Sequence, residues 1–185
     1  SALFVDYTLT VAVSTAAGVA AITSAAPGVE PLRLEIAIGF VALITLANLR
    51  GIRESGTIFA IPTYFFIFAF AAMLATGFIR LVLGHDLVAG TPRDAIEPGV
   101  QGLTLFLLLK AFSSGSAALT GIEAIADGVP QFKPPEAKNA AATQAWMAAI
   151  LAVFFLGSSV LAHNLEVVPS DTETVVSQIA RTVFG

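Results

Sequence analysis

Apolar residues in this chain run in long blocks interrupted by short charged clusters. Five blocks can be separated, from Leu3 to Ala25, Leu34 to Leu49, Ile58 to Leu83, Leu103 to Val129 and Ala141 to Ala162. Each is close to the ~20 residues an α-helix needs to cross the hydrocarbon core of a bilayer, allowing for tilt. The pattern predicts an all-α membrane protein with five transmembrane helices in one membrane domain over residues 1–185. A shorter pattern closes the chain. Val175, Val176, Ile179, Ala180 and Val183 form an apolar face, and Ser170 with Glu173 has capping-box spacing. Gly185 follows the last apolar residue, so an amphipathic helix is predicted over 170–184. It reads either as an ordinary loop helix or as a gate.

Charge placement orients the predicted helices. The link between the second and third blocks, Arg50-Gly-Ile-Arg53-Glu54-Ser-Gly, is basic, and the link between the fourth and fifth carries Lys133 and Lys138. Both fall on one side of the membrane, which the positive-inside rule makes cytoplasmic. The opposite links hold Glu30, Asp86, Asp94 and Glu97 against Arg33 and Arg93. The predicted tail helix therefore lies outside, as does His163 at the end of the fifth block.

Composition narrows the class further. Hydrophobic residues make up 56% and charged residues 12%, where a soluble domain carries roughly a quarter charged. The mean hydropathy is +0.86. A net charge of -4 without a basic run argues against nucleic acid as a partner. Cysteine is absent, which excludes disulfides and thiolate metal sites and suits a cytoplasmic membrane. The opening Ser1-Ala-Leu-Phe has no initiator Met, basic n-region or small-residue cleavage site, so the chain reads as a fragment rather than as starting with a signal peptide.

Two blocks carry polar groups at membrane depth, where burial without partners costs several kcal/mol per group. In the first, Asp6, Thr10 and Ser14 fall at i, i+4 and i+8, with Tyr7 one position aside. This lines a carboxylate and hydroxyls along one stripe. Back-bonding to carbonyls four residues earlier accounts for the hydroxyls but not for Asp6. In the fourth block, two apolar halves flank Ser113-Ser114-Gly115-Ser116, Thr120 and Gly121. Small polar residues can serve tight helix packing. Packing does not call for Glu123 or Lys110, whereas a broken helix does, because its unwound backbone and half-helix dipoles can hold an ion or polar substrate. Thr120 and Glu123, at i and i+3, would face such a site. Lys110 can pair with Glu123, with another helix or with helix-end carbonyls. Pro62 is expected to bend the third helix.

The runs Asp6-Tyr-Thr-Leu-Thr-Val-Ala-Val-Ser14 and Ala17-Gly-Val-Ala-Ala-Ile-Thr-Ser24 resemble the third helix of APC-superfamily permeases. Ala47-Asn-Leu-Arg-Gly-Ile-Arg-Glu-Ser-Gly56 resembles the link after their fourth. The run from Ala118 through Gly121-Ile-Glu-Ala-Ile125 to Lys138-Asn-Ala140 resembles their broken sixth helix and the inner loop behind it. The resemblance spans the chain in order and is nearest to the potassium/proton symporter branch. It implies a LeuT-like inverted-repeat fold, of which this partial transporter domain holds helices three to seven. It also implies ion contacts by Asp6, Tyr7, Ser14, Thr120 and Glu123, with Thr10 beside them. The first helix, which normally completes such a site, has no counterpart, so the chain as it stands is expected to transport nothing.

Hydroxyls and carbonyls around carboxylates suit a weakly hydrated monovalent cation, and a carboxylate can carry a coupling proton. Proton-coupled uptake of a monovalent cation is therefore expected, which the resemblance implies to be potassium, in a multi-pass protein of the bacterial cytoplasmic membrane. No cofactor and no transition metal is expected. The expected partners are lipid and the small substrate, and a full-length homodimer is compatible with the resemblance. An amino-acid/proton symporter is the alternative on the same fold. A non-transporting sensor or scaffold is another. An intramembrane serine protease is the enzyme alternative, but Ser114 and Ser116 lack nucleophile-elbow spacing, and His163 lies at the wrong depth to act as base.

Overall fold

A computed structural model describes residues 2–49, 52–84, 104–116, 125–170 and 172–185, all helix, turn or loop. Helix α1 runs Ala2–Ala25, a 3-10 helix Pro27–Leu32, α2 Arg33–Leu49, α3 Ile52–Val82, α4 Leu105–Ser116, α5 Glu136–Asn164 and α6 Val175–Phe184. The chain divides into two compact units, Ser1–Thr91 with Ser158–Gly185, and Pro92–Gly157. Among the described residues four spans are long and apolar enough to cross a membrane: Phe4–Ala25, Pro27–Leu49, Phe59–Val82 and Glu136–Asn164. The fifth expected span, about 103–129, is represented by α4. That helix is described only to Ser116. Of the predicted break, Ser113-Ser114-Gly115-Ser116 is helical within α4, and residues 117–124, with Thr120 and Gly121, lie outside the described residues.

Helix boundaries depart from the sequence pattern where polar residues continue a helix past its apolar block. Helix α3 starts at Ile52, so most of the basic link Arg50–Gly56 is helical rather than loop. Arg, Glu and Ser tolerate helix well and carry it beyond the hydrocarbon into the headgroup zone. Pro62 lies inside α3 without ending it. Helix α5 likewise begins at Glu136, directly behind Pro134 and Pro135, with an acidic residue in its first turn where the helix dipole favours it. Its 29 residues extend about 44 Å, longer than the core is thick. The outer link is not an irregular loop either. Pro27 opens the 3-10 helix and Pro31 sits within it, where the missing N–H prevents a regular α-helical ladder.

Helices α1, α2, α3 and α5 are apolar on every side, as suits segments solvated by lipid or by other helices. Their large side chains are mostly exposed, among them Leu9, Leu46, Phe65, Phe68 and Phe155. Packing concentrates instead where α6 meets α3 and the end of α5. Leu161, Leu165 and Ile179 are 0% exposed and Val183 1%, with Met73 and Leu74 beside them in the core. Burying side chains of this size is worth about 1.5–3 kcal/mol each.

The tail helix starts later than the predicted 170–184. Thr174, not Ser170, is its N-cap, and its side chain accepts the Ser177 N–H. The predicted Ser170–Glu173 capping box does not form. Ser170 Oγ accepts the Thr172 N–H, and Glu173 forms a two-pronged pair with Arg181 at 3.1 Å for each contact. A carboxylate that can reach a guanidinium eight residues on gains a charged partner, which a backbone amide does not offer.

At Gly77, α3 comes close to α5 and α6. A β-carbon there would lie 2.7 Å from Leu161 Cδ1 and 3.2 Å from Val183 Cγ2. Overpacking such a site costs about 1–3 kcal/mol. Gly77→Leu is expected to lower the apparent unfolding temperature of the detergent-solubilised protein, and Gly77→Ala to lower it less, because the Leu161 methyl can swing aside. Wild-type stability of Gly77→Leu would show that the three helices do not meet here.

Candidate functional site

Threonine and serine hydroxyls inside apolar helices have two ways to be satisfied, by their own backbone or by something outside the helix. Several take the first. Thr8, Thr45 and Thr63 each donate to the carbonyl four residues earlier, all at 2.7 Å. The same bond was one explanation for the hydroxyl stripe of α1, and for Thr10 and Ser14 it does not form. Among the described residues neither makes a hydrogen bond.

Both instead line a groove of about 300 Å³ between α1 and α2. Val11, Thr15, Gly18 and Ile22 complete the α1 side, and Phe40 and Ile44 stand opposite. Gly18 contributes open space, because a β-carbon there would meet nothing within 4 Å. The periodicity that aligned Thr10 with Ser14 thus has a structural counterpart in one cavity wall. An apolar cavity with a few unpaired oxygen ligands favours a species that can be coordinated by neutral oxygens in place of water.

The other predicted site residues divide by location. Asp6 lies one turn before Thr10 on the same face and is partly exposed, outside the residues that line the groove. Tyr7 lies on the adjoining face and is 40% exposed. Thr120 and Glu123 lie outside the described residues. Lys110 is exposed on α4, in the unit formed by Pro92–Gly157. Among the described residues no group of three or more His, Cys, Asp or Glu side chains is arranged to hold a metal ion.

A second, larger cavity of about 690 Å³ lies at the far end of α1. Thr23, Ser24, Glu30, Arg33, Glu173 and Arg181 line it, and the Glu173 carboxylate holds the Arg181 guanidinium above its ordinary pKa by hydrogen bonding and charge. Ser24 does two jobs here. Its Oγ donates to the Ala20 carbonyl at 2.7 Å and accepts the Thr174 N–H at 3.0 Å, across 150 residues of chain. Sequence reasoning passed over Ser24 as one more small polar residue. Its place next to last in an apolar block, beside Thr23, was the available signal.

Membrane-length helices that are apolar all round and carry unpaired hydroxyls into a groove define a multi-pass integral membrane protein. The chain belongs to the amino acid permease family, whose model matches residues 1–185. It is 49% identical over 189 residues to the potassium transporter KimA of Bacillus subtilis (strain 168), a match covering 99% of this chain. The chain spans 30% of that relative's length. Both matches are to transport proteins, which argues against the intramembrane-protease alternative.

Proposed function

We propose that the complete protein is a secondary active transporter that couples uptake of a monovalent cation, potassium first, to protons across the bacterial cytoplasmic membrane. The observation that carries this is the pair of unbonded hydroxyls, Thr10 and Ser14, facing the groove between α1 and α2, whereas Thr8, Thr45 and Thr63, which do not line it, are self-satisfied. The 49% identity to a protein named as a potassium transporter supplies the ion. In the proposed arrangement the helices belong to a LeuT-like inverted repeat. Asp6, Tyr7, Thr10 and Ser14 contribute from α1, and Thr120 and Glu123 from an interrupted helix behind α4.

The chemistry is coherent. A carboxylate at membrane depth is costly while ionised and alone, so it either binds a cation or takes a proton. Exchange between these two states couples one ion to the other. Neutral hydroxyls beside it replace part of the cation's hydration shell without adding charge. The second reading, an amino-acid/proton symporter, is favoured by the description of the matching family itself.

Rescue of a potassium-uptake-deficient bacterium by the complete reading frame tests the first reading. Growth at limiting potassium is expected, and the Glu123→Gln variant is expected to lose it while still reaching the membrane. Losing a charged ligand is worth about 1.5–3 kcal/mol, roughly ten- to a hundredfold in affinity. Normal uptake by Glu123→Gln would remove Glu123 from the site. Absence of rescue by a well-expressed wild type, with uptake of a labelled amino acid, would establish the second reading instead.

Asp6→Asn addresses coupling. Its pH profile of uptake or its apparent potassium affinity is expected to shift. A variant unchanged in both would make Asp6 a structural residue.

A further inference from the structure

The amphipathic helix α6 admits two roles, a loop helix fixed to its neighbours or a gate that swings over the end of the bundle. Elements that move are drawn from the weakly held parts of a fold, with few buried apolar contacts and exposed hydrogen bonds. Helix α6 has the opposite character. Ile179 and Val183 are among the most completely buried side chains described, as is Leu161, and Val183 and Leu161 converge beside Gly77.

Polar contacts hold α6 as firmly. Gln178 is 1% exposed, and its side-chain amide donates to the Val168 carbonyl at 2.8 Å and the Glu173 carbonyl at 3.3 Å. That clamp fixes the segment leading into the helix. The helix is closed at both ends, by the Thr174 cap and by Gly185, whose N–H donates to the Arg181 carbonyl at 2.9 Å. Two further bonds reach other helices. Arg80 of α3 donates to the Val183 carbonyl, placing a cation at the negative end of the α6 dipole. Ser24 of α1 accepts the Thr174 amide, which heads the helix. One end of α6 is thus tied to α1 and the other to α3, and Gly77 lets α3 come close to Leu161 of α5 and Val183 of α6.

We propose that α6 is a fixed strut that locks the ends of α1 and α3 together and stays docked throughout the working cycle, rather than a gate that opens and closes. A strut here holds the hydroxyl-bearing helix α1 in register with α3 while the rest of the protein moves.

Cysteine substitution tests this directly. Ser24→Cys with Thr174→Cys, on a cysteine-free background of the complete reading frame, places thiols on the two residues that the 3.0 Å contact between Ser24 Oγ and the Thr174 backbone N–H holds side by side. The pair is joined by oxidation or by a short bifunctional thiol reagent. The strut predicts cross-linking of equal yield with and without potassium and a pH gradient, and no loss of uptake once the link is made. Uptake abolished by the link and restored by reversing it would overturn the proposal, because that is how a gate behaves. A yield that changes with potassium or the pH gradient would overturn it too. So would a pair that fails to link in the folded, membrane-inserted protein, because α6 would then not be docked on Ser24. Hydrogen exchange of the α6 amides, expected to stay slow whichever ions are present, provides a readout that needs no transported substrate. Failure of the potassium reading therefore remains distinguishable from failure of the strut.

Discussion

A polar group inside hydrocarbon must find its partner within the protein, and that constraint sorts this chain more sharply than any apolar contact does. Thr8, Thr45 and Thr63 turn back to their own helices and are silent. Ser24 and Arg80 reach across to α6 and assemble structure. Thr10 and Ser14 do neither and face a groove. The three behaviours separate hydroxyls and charges that look alike in sequence into self-satisfied, structural and groove-facing groups. Among the described residues no buried side-chain nitrogen or oxygen lacks a partner, so the open hydroxyls are open only because the groove is open.

The same constraint explains why packing is so uneven. Transmembrane helices gain little by sealing leucine against leucine, since lipid is as apolar as the neighbouring helix. Phe65, Phe68 and Leu46 can therefore stay on the surface. A short amphipathic helix, unlike a spanning one, gains by burying its apolar face. Leu161, Leu165, Ile179 and Val183 close into a small conventional core. The best-packed element of this membrane chain is for that reason a ten-residue helix that does not cross the membrane.

Much of this was legible in sequence because lipid enforces simple patterns. Block length announced the four described spans, and a four-residue period announced that Thr10 and Ser14 share a wall. Ends were less legible. Apolar blocks mark the hydrocarbon slab, whereas α3 and α5 are set by helix propensity and continue past it through Arg53-Glu54 and Glu136-Ala-Lys138. The tail cap was misassigned for a related reason. Ser170 and Glu173 have capping spacing, but Arg181 lies two turns along the same helix and takes the carboxylate. Long-range partners were not legible at all. Nothing local in Ser24 indicates an amide 150 residues away, and nothing local in Gly77 indicates Leu161.

Asp6 is where the chemistry of the two candidate substrates parts. A groove lined by hydroxyls does not choose between them, because a hydroxyl donates to a carboxylate as readily as it accepts from a cation. A carboxylate on the same stripe does choose. In the low dielectric of a membrane interior, like charges a few ångströms apart repel strongly, and an amino acid seated with its carboxylate toward Asp6 would meet that repulsion. It would have to enter ammonium first, with its carboxylate turned toward donors elsewhere. Potassium carries no such requirement. It is attracted to a carboxylate in any approach, and Thr10 and Ser14, about 6 and 12 Å farther along the helix axis, would offer it neutral oxygens away from Asp6 rather than in one shell with it. The family description points toward amino acids and the 49% identical relative toward potassium. Of the two, the cation asks less of the residues that α1 provides.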